Sequence, residues 1–555
     1  MLRITCFGGV REIGGNKFLL EDSGSALMLD FGKSFGAIGN YFDEFLQPRT
    51  NSCLRDLLTL KILPAIPGIY RRDLLTHGGA WEAITQNGAI PESARSLFET
   101  EIECYDDYFD RHGPKLDGVL LSHGHTDHCQ CLCFVDRRIP VYCTSATLAI
   151  LQAAQEIGRG NFESDICECP TRMISYGGKS STFSGELKID KDKSDCARDI
   201  RVISPNQPFQ VGRFTVEAVP VDHSVPGACS YIIIAPSGKT VFYTGDIRFH
   251  GRFSMPPQDL TSALRKRTAG LRPDVILTEG TQIKGRGGDD ESGVERGLQE
   301  VIGGCRGLAI VDFGWKDSTR FETILNATKA QGRILAVSPK IAYLWGRLHE
   351  SDPDNFPDLA KNESVKVYFK RTDSMTYSLS DYGNYKHLLG TCTDWGDRSQ
   401  EMRVAWNAQD EEYLASRLCH YYGGVRAYDI ASEPQKYVLH AGYFDMNELF
   451  DISPPEGSVF VRAATEPFCD DMVQDEKKLA NWLKFFGVND GRDEKIIRHH
   501  VSGHASGEDL LQFIADMQPA MVVPIHTEDP EVFDQQLGDK IDVVIPELEK
   551  EIVID

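Results

Sequence analysis

No run of about 18 consecutive apolar residues occurs in this 555-residue sequence, which argues against a membrane-spanning helix. The opening Met1-Leu2-Arg3-Ile4-Thr5-Cys6-Phe7 goes directly into a strand pattern, with no charged and apolar leader, so the expected location is the cytoplasm with no membrane partner. Basic charge is scarce as well: 59 Lys and Arg face 82 Asp and Glu, a net charge of −23. Proteins that coat nucleic acid broadly carry a basic surplus, so any such contact here is confined to a local channel. Internal repeats and low-complexity tracts are absent. With no secretory leader, the 15 Cys read as reduced thiols rather than disulfides.

What is present is a chain too long for one core. Domains of roughly 150 residues give three or four units. One stretch organises it: Leu120-Leu121-Ser122-His123-Gly124-His125-Thr126-Asp127-His128 places three His and one Asp within six residues. Val119-Leu120-Leu121 reads as a short buried strand, so the polar residues sit on the loop at its carboxyl end. His123 and His125 are spaced to share one ion, and Asp127 and His128 point the other way toward a second. Cys129, Cys131 and Cys133 follow at alternate positions; a site of this type takes His and carboxylate, so they read as buried thiols.

Further donors follow apolar strands later in the chain. His223 lies in Val221-Asp222-His223-Ser224, Asp246 follows Val241-Phe242-Tyr243, and His526 closes Val522-Val523-Pro524-Ile525. Near the amino terminus Gly8-Gly9 and Gly14-Gly15-Asn16 read as a tight turn, because their spacing is not that of a phosphate-binding loop. Residues 36–115 read as an insertion: Cys53 to Leu60 and Glu92 to Asp110 look helical, and Pro64 and Pro67 bar a helix between them. That insertion is a candidate lid, with Tyr70, Arg71 and Arg72 as a candidate substrate contact set against a plain surface turn. Gly178 to Asp199 reads as a surface loop. After residue 288 strands and helices alternate, as in a parallel sheet flanked by helices.

The His-x-His-x-Asp-His stretch, with His223, Asp246 and His526 in that order, resembles the signature of the metallo-β-lactamase superfamily. The alternating segment between Asp246 and His526 resembles the β-CASP insertion of its nucleic-acid-cutting subgroup. Glu279 in Leu277-Thr278-Glu279, His504 in Ser502-Gly503-His504-Ala505, and His526 match that subgroup's three motifs, and the phrase Gly8-Gly9-Val10-Arg11-Glu12-Ile13-Gly14 resembles ribonuclease J. The resemblance implies an α/β fold, a metallo-β-lactamase αββα sandwich with an inserted parallel α/β domain. The expected divisions are 1–288 and 465–555 for the sandwich and 289–464 for the insertion. It implies a metal-dependent ribonuclease acting on single-stranded RNA, and a homo-oligomer is left open.

Carried onto this sequence, the resemblance assigns His123, His125 and His223 to one ion and Asp127, His128 and His526 to another, with Asp246 between them. Zinc suits the three-His side, and manganese stays open for the other. Asp30 supports the loop without binding metal. Asp127, His504 and Glu279 are the expected catalytic residues, with His504 as general acid and Glu279 orienting it. His500, Ser502 and Ser318 are candidate substrate contacts. The family's Gly-Ser-x-Gly-Glu phrase, which helps hold a 5′ phosphate, is absent; Leu439-His440-Ala441-Gly442-Tyr443-Phe444 stands near its place. Internal cutting is therefore expected. The competing readings are a DNA-directed nuclease, a small-ester hydrolase of the same superfamily, and a non-catalytic RNA-binding scaffold.

Overall fold

The computed structural model describes every residue except 44, 86–90, 99, 159–161, 177–186, 253–255, 268–271, 372–423, 466–469 and 492–495. Two seven-stranded sheets form the centre. The first runs in the order Glu551–Ile554, Leu2–Gly8, Lys17–Asp22, Ser25–Leu29, Gly118–Leu120, Val141–Cys143, Ile200–Val202. The second runs Asp542–Val543, Met521–Pro524, Val275–Thr278, Thr240–Tyr243, Cys229–Ile234, Phe214–Pro220, Pro208–Val211. Their facing sides share one core, in which Leu20, Leu29 and Leu120 meet Phe214, Tyr231 and Leu277. Helices Gly507–Met517 and Glu531–Leu537 cover the outer side of the second sheet, packing Phe513, Ile514 and Phe533 on Phe242, Ile276 and Val522. This is an αββα sandwich.

The parallel strands deliver the functional loops to one edge. Gly118–Leu120 pairs in parallel with Ser25–Leu29 and Val141–Cys143. Val275–Thr278 lies parallel between Thr240–Tyr243 and Met521–Pro524. Parallel strands end at the same side of their sheet, so the loops after Leu120, Tyr243, Thr278 and Pro524 all open there.

The described residues of 36–115 are part of the outer layer of the first sheet rather than a lid. Leu54, Leu57, Leu63, Ile69, Tyr70 and Leu74 share a core with Met28, Val119 and Val141. Helix appears over Cys53–Thr59 and Tyr105–His112, and Glu92–Leu97 is a short 3-10 helix. Arg71 is buried, bonded to Asp73 and to the Pro170 carbonyl, and Arg72 pairs with Asp106 and Asp107, so both serve the fold. The surface-loop expectation over 178–199 is corrected in part: Leu187–Asp192 is a strand, antiparallel to Thr171–Tyr176, while 178–186 lies outside the described residues.

The third sheet has six parallel strands: Val365–Val367, Ile334–Val337, Tyr437–His440, Ala309–Asp312, Val459–Arg462, Ile497–Arg498. Its last strand lies beyond position 464, because the returning chain pairs Ile497 with Val461 before reaching His504. Helices Glu291–Gly304 and Ser318–Ala330 flank one face, each begun by an Asp side chain, Asp290 and Asp317, that accepts a first-turn N–H. Among the described residues no helix is long and apolar enough to cross a membrane.

Candidate metal centre

Asp30 is the support from which the metal loop is built. It follows the strand Ser25–Leu29 in a left-handed conformation, φ 53°, unusual for a residue with a side chain. Its Oδ1 accepts the Ser122 N–H at 2.7 Å, and its Oδ2 accepts from Ser122 Oγ and Tyr243 Oη and lies 2.7 Å from His128 Nδ1. Donation of the Nδ1 proton to Asp30 turns His128 Nε2 toward the donor group, where it offers a lone pair once its own proton is displaced. His223 is fixed in the same way by the Gly503 carbonyl, 2.5 Å from Nδ1.

Seven side chains converge in two groups. His123, His125, His223 and Asp246 form one, and Asp127, His128, Asp246 and His526 the other, with the donor atoms of each group within 4.8 Å of one another. In the first group His125 Nδ1 lies 3.0 Å from both His123 Nε2 and His223 Nε2, and each of those atoms lies 3.6 Å from Asp246 Oδ2. Donors about 2 Å from a tetrahedral centre stand roughly 3.3 Å apart, so the set fits a metal ion such as zinc. Burial lowers His123 and His125 well below the usual imidazole range and His223 to about 3, which keeps all three neutral and able to ligate.

The second group is richer in carboxylate. His128 Nε2 lies 3.2 Å from Asp246 Oδ2 and 3.8 Å from Asp127 Oδ2, and His526 Nε2 lies 3.7 Å from Asp127 Oδ2. His526 Nε2 is buried and has no hydrogen-bond partner among the described residues. An orphaned imidazole nitrogen beside two carboxylates fits a cation, since leaving it bare costs about 1–3 kcal/mol. Burial works against charge on His128, yet Asp246, Asp127 and Asp30 together raise its pKa well above the ordinary value.

The amino-terminal glycine turn packs on this loop. Asn16 N–H donates to the Asp127 carbonyl at 3.1 Å, and its Nδ2 lies 3.0 Å from His526 Nδ1. A Cβ on Gly14 would stand 2.8 Å from Asp127 Cβ, and one on Gly32 would overlap the Asp127 carbonyl at 1.6 Å. Only glycine permits these approaches. His526, itself at φ 49°, donates its N–H to the Gly9 carbonyl at 2.7 Å. Asn16 carries no sequence signal beyond its place after two glycines.

His504 stands beside both groups without joining either. Its ring centroid is 5.2 Å from that of His223 and 5.6 Å from that of His526. Glu279, almost fully buried, accepts the Ile247 N–H on Oε1 and the Thr281 N–H on Oε2, and that Oε2 lies 3.0 Å from His504 Nδ1. Burial alone would lower the His504 pKa; Glu279 and Asp246 outweigh it and push the value up to about 9.

The three candidate substrate contacts fall in different surroundings. Ser502 Oγ accepts the His504 N–H at 3.1 Å and its carbonyl faces His250 Nε2 at 2.9 Å, so it shapes the turn that carries His504. His500 Nδ1 accepts from Arg320 Nη1 at 3.0 Å, and burial together with that guanidinium lowers its pKa to about 4. Ser318 begins its helix and lines a cavity that also reaches His223. Two residues of the third-sheet region, unmarked in the sequence, tie it to the sandwich. Lys316 Nζ donates to the Gly124 carbonyl at 2.9 Å, between the candidate ligands His123 and His125. Arg320, fully buried, pairs with Glu291 at 2.8 Å and donates to the Ala463 and Val501 carbonyls. Cys129, Cys131 and Cys133 are buried free thiols outside both donor groups.

Residues 108–284 match the beta-lactamase superfamily domain, and residues 494–546 match the Zn-dependent metallo-hydrolase RNA specificity domain. The chain is 21% identical to ribonuclease J of Mycoplasma genitalium over 530 residues, 95% of this chain and 68% of that protein. It is 33% identical to ribonuclease J of Mycolicibacterium smegmatis over 341 residues, 60% of this chain and 43% of that one. Across the ribonuclease J sequences matched, the aligned share of the relative runs from 38% to 68%. A crystal structure of a protein of unknown function from Enterococcus faecalis superposes with a TM-score of 0.62 at 19% identity, covering 100% of this chain and 99% of that one.

Proposed function

The chain is a metallo-β-lactamase-fold protein with a β-CASP insertion, resembling ribonuclease J, and on that premise we propose that it hydrolyses phosphodiester bonds of single-stranded RNA. The observation that carries this reading is the Glu279–His504 pair set beside two donor groups that share Asp246. Hydrolysis of a phosphodiester expels an alkoxide, and the Glu279–His504 pair stands where it can supply the proton. The likeness to ribonuclease J and the match to an RNA specificity domain favour RNA over a small ester as the substrate.

His123, His125, His223 and Asp246 would hold one zinc ion, and Asp127, His128, His526 and Asp246 a second ion, zinc or manganese. When bound, such a pair supplies a nucleophilic water at neutral pH and neutralises the phosphoryl oxygens. The protein's own groups do the rest. Asp30, Gly503 and Ser122 orient the imidazoles so that the ligating nitrogens need no rearrangement. His504, held protonated by Glu279, gives its proton to the departing 3′ oxygen.

A positive centre in an acidic chain also explains how an anionic strand is bound locally while the surface as a whole repels it. The test is cleavage of labelled single-stranded RNA, single-stranded DNA and a small ester by the zinc- or manganese-loaded protein, before and after chelation. Chelator-sensitive cleavage confined to RNA is the expected result. Activity on DNA or the ester alone would replace this reading, and RNA binding without cleavage would make the chain a scaffold.

A further inference from the structure

Against His223, and touching none of the other six candidate ligands, lies a cavity of about 610 Å³ lined by both the sandwich and the inserted domain. That volume falls within the roughly 300–1,000 Å³ of small-molecule sites. The sandwich contributes His223 and Phe249, and the inserted domain contributes Ser318, Thr319, Glu322 and Phe356. Ser318, Thr319 and Glu322 share a face of one helix by their spacing of three and four residues.

The lining combines apolar groups with four carboxylates, Asp222, Glu322, Asp352 and Asp354, and one guanidinium, Arg248, already paired with Asp222; that balance disfavours a phosphate and suits an uncharged ring that offers hydrogen-bond donors. The acidic groups are not equivalent. Asp222 is bound to Arg248 at 2.9 Å, Asp352 accepts from the Asn355 side chain at 2.7 Å, and Asp354 is exposed to solvent. Glu322 makes no hydrogen bond or ion pair with any described residue; burial raises its pKa, and the charge of Arg252 opposes that. A half-buried carboxylate without a donor has unmet acceptor capacity on both oxygens.

We propose that this cavity reads one nucleobase of the bound strand, and that Glu322 selects guanine there. Among the four RNA bases only guanine carries two adjacent donors, N1–H and N2–H₂, on one edge, matching the two oxygens of a carboxylate. Phe249 and Phe356 offer aromatic surface to a splayed base, the usual manner of recognition for single-stranded RNA. The position beside a metal ligand places the selected base near the phosphate that is cut. The inference rests on the ribonuclease reading for its biological substrate, but the pocket is testable without it.

The metal-loaded protein is titrated calorimetrically with guanosine, inosine and adenosine; inosine lacks only the N2 amino group. Guanosine is expected to bind about tenfold or more tightly than either, the worth of one good bidentate contact. Glu322→Gln is expected to abolish that preference with metal content and folding unchanged, and Glu322→Asp, which withdraws the carboxylate, to weaken it. In parallel, RNA cleavage products are sequenced, and a guanine bias at one fixed position is expected to vanish in Glu322→Gln. Equal binding of the three nucleosides, no binding, or a preference that survives Glu322→Gln overturns the proposal. A guanosine-binding protein that cuts no RNA would keep the pocket and remove the ribonuclease reading; unbiased RNA cleavage with equal nucleoside binding would do the reverse.

Discussion

Glu279 Oε2 lies 3.0 Å from His504 Nδ1, while the other carboxylate oxygen is held by the Ile247 backbone N–H, so the imidazole is aimed by a side chain that has no freedom to turn. Replacing His504 by Ala should leave both donor groups intact, and RNA cleavage should fall about 10²- to 10⁴-fold, the usual worth of a general acid. Sulfur in place of the leaving 3′ oxygen needs no strong acid. The variant should therefore recover most of its rate on a 3′-bridging phosphorothiolate, with metal content unchanged; an equal defect on that substrate, or a lost metal, would make His504 a ligand or a structural residue.

Glu279→Gln tests the same pair through pH. The His504 pKa is raised to about 9, so its protonated form is complete at neutral pH and is lost as pH rises through that value. With Gln in place of the carboxylate the loss moves to lower pH. The alkaline limb of the rate profile should shift downward by about one unit or more, since a neighbouring opposite charge is worth roughly that much. An unshifted limb would remove His504 as its origin.

His123→Ala combined with His125→Ala should release most of one metal equivalent and abolish cleavage, because the group retains only His223 and the shared Asp246. Elemental analysis of the purified double variant measures it. Unchanged metal would overturn the donor assignment.

Arg320 and Glu291 are both buried and bonded to each other, and Arg320 reaches His500 and the Val501 carbonyl on the strand-to-turn path toward His504. Removing one partner of a buried pair leaves the other charge without compensation. Arg320→Met should cost about 3–5 kcal/mol in urea unfolding, and adding Glu291→Leu should restore part of it. The pH sign follows from Glu291: burial opposes its ionisation, but Arg320 draws its pKa below the normal carboxyl value. Its contribution is present above the unfolded carboxyl pKa and is lost as pH falls through the lower folded value. Glu291→Leu should flatten that acid limb.

The seven donor side chains that the structure brings together were legible in the sequence because four of them lie in six residues and the other three each follow an apolar strand, both local patterns. The supports were not. Asn16 and Gly14 contact Asp127 only because the turn at residues 8–16 folds across the loop, a relationship more than a hundred residues apart in the chain. Residues 53–75 showed helix and proline boundaries, but local propensity does not say what a helix packs on, and the expected lid is a layer of the sandwich core. Lys316 and Arg320 look like ordinary surface cations in sequence; their partners, Gly124 and Glu291, come from separate segments.

The region Leu439 to Phe444 bears on the mode of cutting. Gly442 N–H is taken by Asp445 Oδ2 at 3.0 Å and Ala441 N–H by the Val311 carbonyl, so these amides have partners and do not stand ready for a 5′ phosphate. Asp312 ends the adjacent strand, buried enough that its pKa is pushed up to about 6 despite Arg462, and it adds a further carboxyl there. The most direct measurement compares metal-loaded protein on single-stranded RNAs of one sequence bearing a 5′ hydroxyl, a 5′ monophosphate or a 5′ triphosphate, with product sizes resolved. Chelator-sensitive internal cleavage at similar rates on all three is the predicted result. No cleavage of any of them would contradict the ribonuclease reading, and a strong preference for the monophosphate with nucleotides released from the 5′ end would contradict internal cutting.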